Sequence, residues 1–149
     1  MTATAAPESI TVARANAPHV AVIGAGLAGL VTALRLRRAG ARVTLVTKGV
    51  GGLQLGHGTI DLLGYDPERV TNPAKGIEAF AAKHPEHPYA KIGVEAVRSG
   101  VELLSEILGE KLVNGSADEN VLVPTAVGAA RPTAFIPESM KAGVLPVSY

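Results

Sequence analysis

The segment that most constrains this chain is Val20-Ala21-Val22-Ile23-Gly24-Ala25-Gly26-Leu27-Ala28-Gly29. A short apolar run leads into G-x-G-x-x-G. An amphipathic stretch to Arg38 and a second apolar run over 42–46 follow directly. Such a glycine triplet is weak evidence in isolation. Between a strand and a helix inside a βαβ unit, it predicts a dinucleotide site. Gly24 permits the tight turn out of the first strand. Gly26 lets backbone approach a pyrophosphate with no Cβ in the way, and Gly29 lets the helix pack closely. The helix start then offers unpaired N–H groups and the positive end of its dipole. Arg37 and Arg38 in the last turn, with Gly40 beyond them, mark the helix end. The expected fold class is α/β, a Rossmann-like FAD/NAD(P)-binding βαβ unit. Its alternative is a plain glycine-rich βα turn without a ligand.

One part of the fingerprint is missing. An acid that binds the adenosine ribose is expected at the end of the second strand, roughly 20 residues on. That position holds Thr47, followed by Lys48. Threonine can hydrogen-bond there but cannot accept in bidentate fashion. FMN, which has no adenosine ribose, would not need the acid; FAD held through Thr47 and backbone groups is the alternative.

Composition narrows the function classes. Of the 149 residues, 47% are hydrophobic and only 18% charged, so the chain can build a core. Aromatic residues are scarce and the net charge is +1, which argues against nucleic acid as a partner. There is no cysteine, which excludes disulfides, thiolate catalysis and cysteine-ligated clusters in this chain. Val20–Leu34 is apolar but falls short of the roughly 20 residues a bilayer span needs. No basic stretch precedes it and Glu8 lies in the leader, so a signal peptide is not expected. Residues 1–17, rich in Ala and Thr, read as a disordered tail.

Beyond Thr47, five glycines fall between Gly49 and Gly58. Loops of this kind bring backbone close to something, move as lids, or merely connect. His57, between Gly56 and Gly58, has several open roles: flavin contact, acid/base, covalent attachment point, or solvated loop residue. Asp61 is expected to hydrogen-bond its turn. Prolines break up 65–92, leaving a short helix around 74–83. His84 and His87 have an H-x-x-H spacing, but the prolines beside them deny it a regular helix and no third ligand is evident, so no metal site is assigned. Residues 93–109 carry an apolar stripe of Val94, Val97, Val101, Leu104 and Leu108, with Arg98 and Glu102 as an exposed i,i+4 pair. Short strands are expected at 111–113, 121–125 and 129–136, with turns at Asn114-Gly115 and Gly128 and prolines restricting the strands to edges. Arg131, the basic residue of this stretch, is either a surface residue or an anion binder.

With these residues placed, the chain resembles one flavoprotein family, the B-type subunits of anaerobic glycerol-3-phosphate dehydrogenases. The resemblance rests on Ile23–Leu30, on Val46-Thr47-Lys48-Gly49 with threonine for the acid, and on Gly58-Thr59-Ile60-Asp61-Leu62-Leu63. His87-Pro88-Tyr89 and Thr125–Thr133 add to it. It implies a flavoprotein subunit, assigned FMN, that pairs with a catalytic FAD subunit and an iron–sulfur membrane-anchor subunit. The implied reaction oxidises sn-glycerol 3-phosphate to dihydroxyacetone phosphate and passes electrons to quinone. The implied location is cytoplasmic, peripheral on the inner membrane face through the partners. Carried over by position, Gly24, Gly26 and Gly29 bind phosphate, Thr47 and Lys48 line the nucleotide end, and Gly58 faces the flavin region; Gly56-His57 departs from the serines frequent there in the family, and Ala25, Leu27 and His57 stand beside these as cofactor-binding candidates. No residue is assigned as the catalytic base. The family is much longer than this chain, which implies an N-terminal fragment whose sheet lacks strands and leaves apolar surface uncovered.

The expected organisation is a tail over 1–17, a dinucleotide-binding unit with flavin loop over 18–64, and a helical and loop segment over 65–110. The start of a β-rich cap or substrate domain occupies 111–149. Two other functions stay open: a generic FAD-dependent dehydrogenase of the fumarate-reductase type, and a truncated non-catalytic subunit.

Overall fold

The computed structural model describes residues 16–109 and 112–146. Most of the expected N-terminal tail and Lys111 of the first expected cap strand lie outside them. The chain divides into two compact units, Met1–His57 and Gly58–Tyr149.

In the first unit, β1 (His19–Ile23) and β2 (Arg42–Val46) pair in parallel, His19 opposite Arg42 and Ile23 opposite Val46. Helix α1 (Leu27–Arg38) connects them. Parallel neighbours need such a crossover, because a tight hairpin can only join antiparallel strands. The helix stops where the sequence places its end. Gly40 adopts φ +85°, its N–H donates to the Arg37 carbonyl at 3.0 Å, and the Ala41 N–H reaches back to Leu36 O at 3.0 Å. This is the six-to-one and five-to-two pattern of a Schellman stop. Val22 and Ala41 are buried, whereas no residue of α1 is. Ile23 is 86% exposed and Leu55, at the end of a 3₁₀ turn over Gly52–Leu55, is 92% exposed.

The second unit is mixed. A small antiparallel ladder joins β3 (Tyr65–Asp66) to β4 (Glu68–Arg69). Helix α2 (Pro73–Lys83) starts with proline in its first turn and Asn72 as its cap, Oδ1 accepting from the Lys75 N–H at 2.9 Å. Helix α3 (Pro88–Ile92) is capped by His87, whose Nδ1 accepts from the Tyr89 N–H at 3.2 Å. Helix α4 (Val94–Leu108) ends at Gly109 with φ +72°. Strand β5 (Asn114–Gly115) pairs antiparallel with β8 (Phe135–Ile136), and β6 (Val121–Pro124) with β7 (Ala130–Thr133). The core gathers Ala74, Val101, Val113, Ala117, Ala134 and Phe135, with Ile60, Leu62 and Val94 packed against it.

The structure departs from several local expectations. Asn114-Gly115 is a strand rather than a turn. A Cβ on Gly115 would lie 2.0 Å from the Ala134 carbonyl oxygen, so glycine serves close strand approach there. Leu112 and Val113 precede that strand instead of forming one, although Val113 is buried. The strand expected over 129–136 breaks at Ala134 into β7 and β8. On α4 the buried positions are Val101, Leu103 and Leu104, while Leu108 is exposed. Arg98 does not pair with Glu102. Its guanidinium donates to both oxygens of Asp118, at 2.8 and 2.7 Å, and so ties α4 to the connection between β5 and β6. A long-range bidentate carboxylate is geometrically the better partner for the planar fork.

Candidate functional site

The predicted phosphate residues fall together at the turn between β1 and α1. Gly24 leaves β1 with φ +104°, a conformation L side chains avoid, and its N–H donates to Val46 O at 2.8 Å. That bond ties the turn to the end of β2. Gly26 caps α1 with extended backbone (φ −73°, ψ 174°), and among the described residues no side chain caps the first helical N–H groups. A Cβ on Gly26 would meet nothing within 4 Å, which leaves open space in front of those groups. Gly29 is different: a Cβ there would sit 2.0 Å from the Gly24 carbonyl oxygen. The third glycine thus seats the helix on the turn itself. Leu27 follows the cap and is exposed, and Ala25 lies between the two turn glycines. Open backbone, unpaired N–H groups and a helix dipole fit a pyrophosphate here.

Thr47 and Lys48 follow β2 directly, and both are exposed. The Thr47 hydroxyl is engaged locally, donating to the Gly49 carbonyl and accepting from the Gly49 N–H at 3.2 Å. It shapes the loop after β2 where a ribose-binding acid is usual.

Gly51 is a residue that the sequence reading does not single out. It adopts φ +71°, and a Cβ on it would fall 2.4 Å from Ala25 O and 2.8 Å from Gly26 N. Its neighbours Gly49 and Gly52 have open space at the same position. The glycine-rich loop therefore folds back onto the fingerprint turn through one residue. Five glycines in ten residues signal a close approach somewhere, but one-dimensional spacing cannot say which of them makes it.

His57 closes the first unit and Gly58 opens the second, both exposed. Gly58 has φ +84°, and a Cβ there would be 3.0 Å from Pro137 Cγ. The Asp61 side chain reaches a distant partner: its Oδ2 accepts from Arg131 Nη1 at 2.5 Å, and Arg131 Nη2 donates to Thr59 Oγ1 at 3.0 Å. Arg131, a partly exposed arginine, is thereby paired within the protein. His84 and His87 stack about Phe80, with ring centroids 4.3 and 4.9 Å away. Tyr89 lies against His87, and burial pushes its phenol above the usual value. Among the described residues, no cluster of three His, Cys, Asp or Glu could hold a metal, and no helix is long and apolar enough to cross a membrane.

Comparison with known proteins agrees with the turn geometry. The FAD binding domain family model matches residues 19–145. A Yersinia enterocolitica protein, named as the B subunit of an anaerobic glycerol-3-phosphate dehydrogenase, is 39% identical over 85% of this chain and 32% of its own length. A Mannheimia succiniciproducens protein of the same name is 36% identical over 81% of this chain and 29% of its own. A Halobacterium salinarum protein, given that name with the qualifier "probable", is 35% identical over 85% of this chain and 29% of its own. The chain thus spans about a third or less of the length of these relatives. No solved structure matches it. The family match supports a flavin cofactor, and its description is of FAD, so the expected preference for FMN finds no support there.

Proposed function

The chain belongs to the FAD binding domain family, and from that premise we propose that it is the flavin-binding part of an anaerobic glycerol-3-phosphate dehydrogenase, in its B-type subunit. The single observation that carries this reading is the open glycine turn at Gly24–Gly29, set on a parallel βαβ unit inside the family match. The names of the relatives extend it from flavin binding to the substrate.

The cofactor in this reading is FAD. Ala25, Gly26 and Leu27 hold its pyrophosphate through backbone N–H groups, Gly24 shapes the turn with its own N–H on Val46 O, and Gly29 keeps the helix start in place behind them. Thr47 orders the loop at the adenosine end without the bidentate contact an acid would make. Lys48 supplies a positive charge beside it, and His57 and Gly58 belong to the flavin region. When bound, the flavin would supply two-electron redox chemistry to an assembly in which the secondary alcohol of glycerol 3-phosphate becomes the ketone of dihydroxyacetone phosphate. The protein's share is binding, orientation and electrostatics. Its partners in passing the electrons to quinone are a catalytic FAD subunit and an iron–sulfur membrane anchor, which place this chain peripherally on the cytoplasmic membrane face.

Anaerobic titration tests the substrate. Glycerol 3-phosphate should bleach the visible band of the flavin-loaded protein assembled with its partners. Bleaching by a dicarboxylate instead would favour the fumarate-reductase type of dehydrogenase, which draws on the same 19–145 match.

A further inference from the structure

Within the first unit, the stretch that follows β2 is held against the glycine turn at two points. The Gly24 N–H donates to Val46 O at 2.8 Å, one residue before Thr47. Gly51 closes on the same turn: a Cβ there would fall 2.4 Å from Ala25 O and 2.8 Å from Gly26 N. Residues 47–50 are therefore anchored on the turn from both ends. In dinucleotide folds the adenosine ribose lies at this end of the second strand. An acid there takes the 2′-hydroxyl, or a nearby cation takes a 2′-phosphate. Thr47, at the acid's position, spends its hydroxyl on Gly49, donating to the carbonyl and accepting from the N–H at 3.2 Å. Lys48 beside it is exposed and, among the described residues, makes no ion pair. No Asp or Glu lies between Glu8 and Asp61 in the sequence, so no carboxylate of the described first unit neutralises that ammonium or repels a phosphate. The unit's other described cations do not share the position. Arg35, Arg37 and Arg38 stand on the last turn of α1 and Arg42 opens β2, at the opposite end of the parallel pair. A compact ammonium on a flexible stem binds phosphate as a point charge.

We infer that Lys48 makes the adenosine end of this unit a 2′-phosphate subsite, so that 2′-phosphorylated adenine dinucleotides, of the NADP class, compete with FAD for the glycine turn. The subsite rests on the dinucleotide reading of that turn given above. It goes beyond that reading in the ligand, because FAD carries no 2′-phosphate.

The test titrates adenosine 2′,5′-bisphosphate and 5′-ADP into the chain by calorimetry, at low salt where an exposed charge is least screened. Flavin fluorescence follows FAD binding and its displacement by each nucleotide. The variants are Lys48→Gln, Lys48→Arg and, as a charge-matched control, Arg38→Gln; circular dichroism verifies that each is folded. The wild-type chain should bind the 2′,5′-bisphosphate about tenfold more tightly than 5′-ADP. Lys48→Gln should bring the two within about twofold, whereas Lys48→Arg and Arg38→Gln should keep the preference. Equal affinities in the wild-type chain overturn the subsite, and so does a preference that survives Lys48→Gln. An equal loss for both nucleotides in Lys48→Gln would put Lys48 on the phosphates they share at the 5′ side and overturn it as well. A preference lost as fully in Arg38→Gln would make it an effect of net charge, again against the subsite. If FAD binds and the 2′,5′-bisphosphate does not displace it, the subsite fails and the flavin reading stands. If neither FAD nor either nucleotide binds, the dinucleotide reading of the turn fails, and the subsite with it.

Discussion

At the residue scale, glycine identity separates into distinct jobs. Gly24 is fixed by its φ, Gly26 by open space, and Gly29 and Gly51 by contact with backbone. The sequence shows the first three because their spacing repeats a pattern tied to a strand and a helix. It cannot show Gly51, whose partner is Ala25, far back in the chain. Gly51→Ala places a Cβ on the turn in a left-handed backbone that itself costs roughly 1–2 kcal/mol. We expect it to weaken FAD binding about tenfold or more in a fluorescence titration. Gly52→Ala, whose Cβ meets only open space, should bind within about twofold of wild type; equal losses in both variants would remove the special role of Gly51. Thr47 is legible as a missing acid, but its hydrogen bonds to Gly49 are visible only in three dimensions.

At the element scale, caps and ion pairs decide the boundaries. Asn72 begins α2 through Lys75, and Asn72→Ala should lower the stability of the second unit by about 1 kcal/mol in urea denaturation. The periodicity of α4 is plain in the sequence, yet its cation chooses Asp118 over Glu102, because local spacing says nothing of a partner carried on another element. The hydrogen bond from Arg98 holds the Asp118 carboxyl below its ordinary value and raises the guanidinium in turn. An acid with a depressed folded pKa contributes stability above its unfolded value of about 3.9, and loses it as pH falls through the folded value. The stability difference between wild type and Asp118→Asn should therefore be present at pH 6 and shrink below about pH 4. A difference independent of pH would show that the carboxylate charge is not what matters. Asn114-Gly115 is the opposite case: a sequence pair that ordinarily turns a hairpin is drawn into pairing with Phe135–Ile136. Tertiary pairing overrides local turn preference where a strand edge is available.

At the scale of the whole molecule, the two units differ in how they bury apolar side chains. The second has a core centred on Phe135 and Val101, and Phe135→Ala should cost it about 3–5 kcal/mol by calorimetry. In the first, Ile23, Val46, Val50 and Leu55 are exposed and no residue of α1 is fully buried, although parallel sheets are ordinarily covered on both faces. An apolar fluorescent dye should bind the folded chain and be displaced little by substitutions in the second unit; no dye uptake would show that surface to be covered in solution. The βαβ unit is legible because its pattern is local and contiguous. The pairing of β5 with β8 and the grip of Arg131 on Thr59 and Asp61 are not, since each joins residues far apart in sequence. A turn at Gly24–Gly29 that holds FAD should give a yellow protein. The visible spectrum of the purified chain, followed by chromatography of the cofactor released on heating, measures this directly. Released FAD is the expected result; released FMN, or a chain that stays colourless when FAD is supplied, would contradict it.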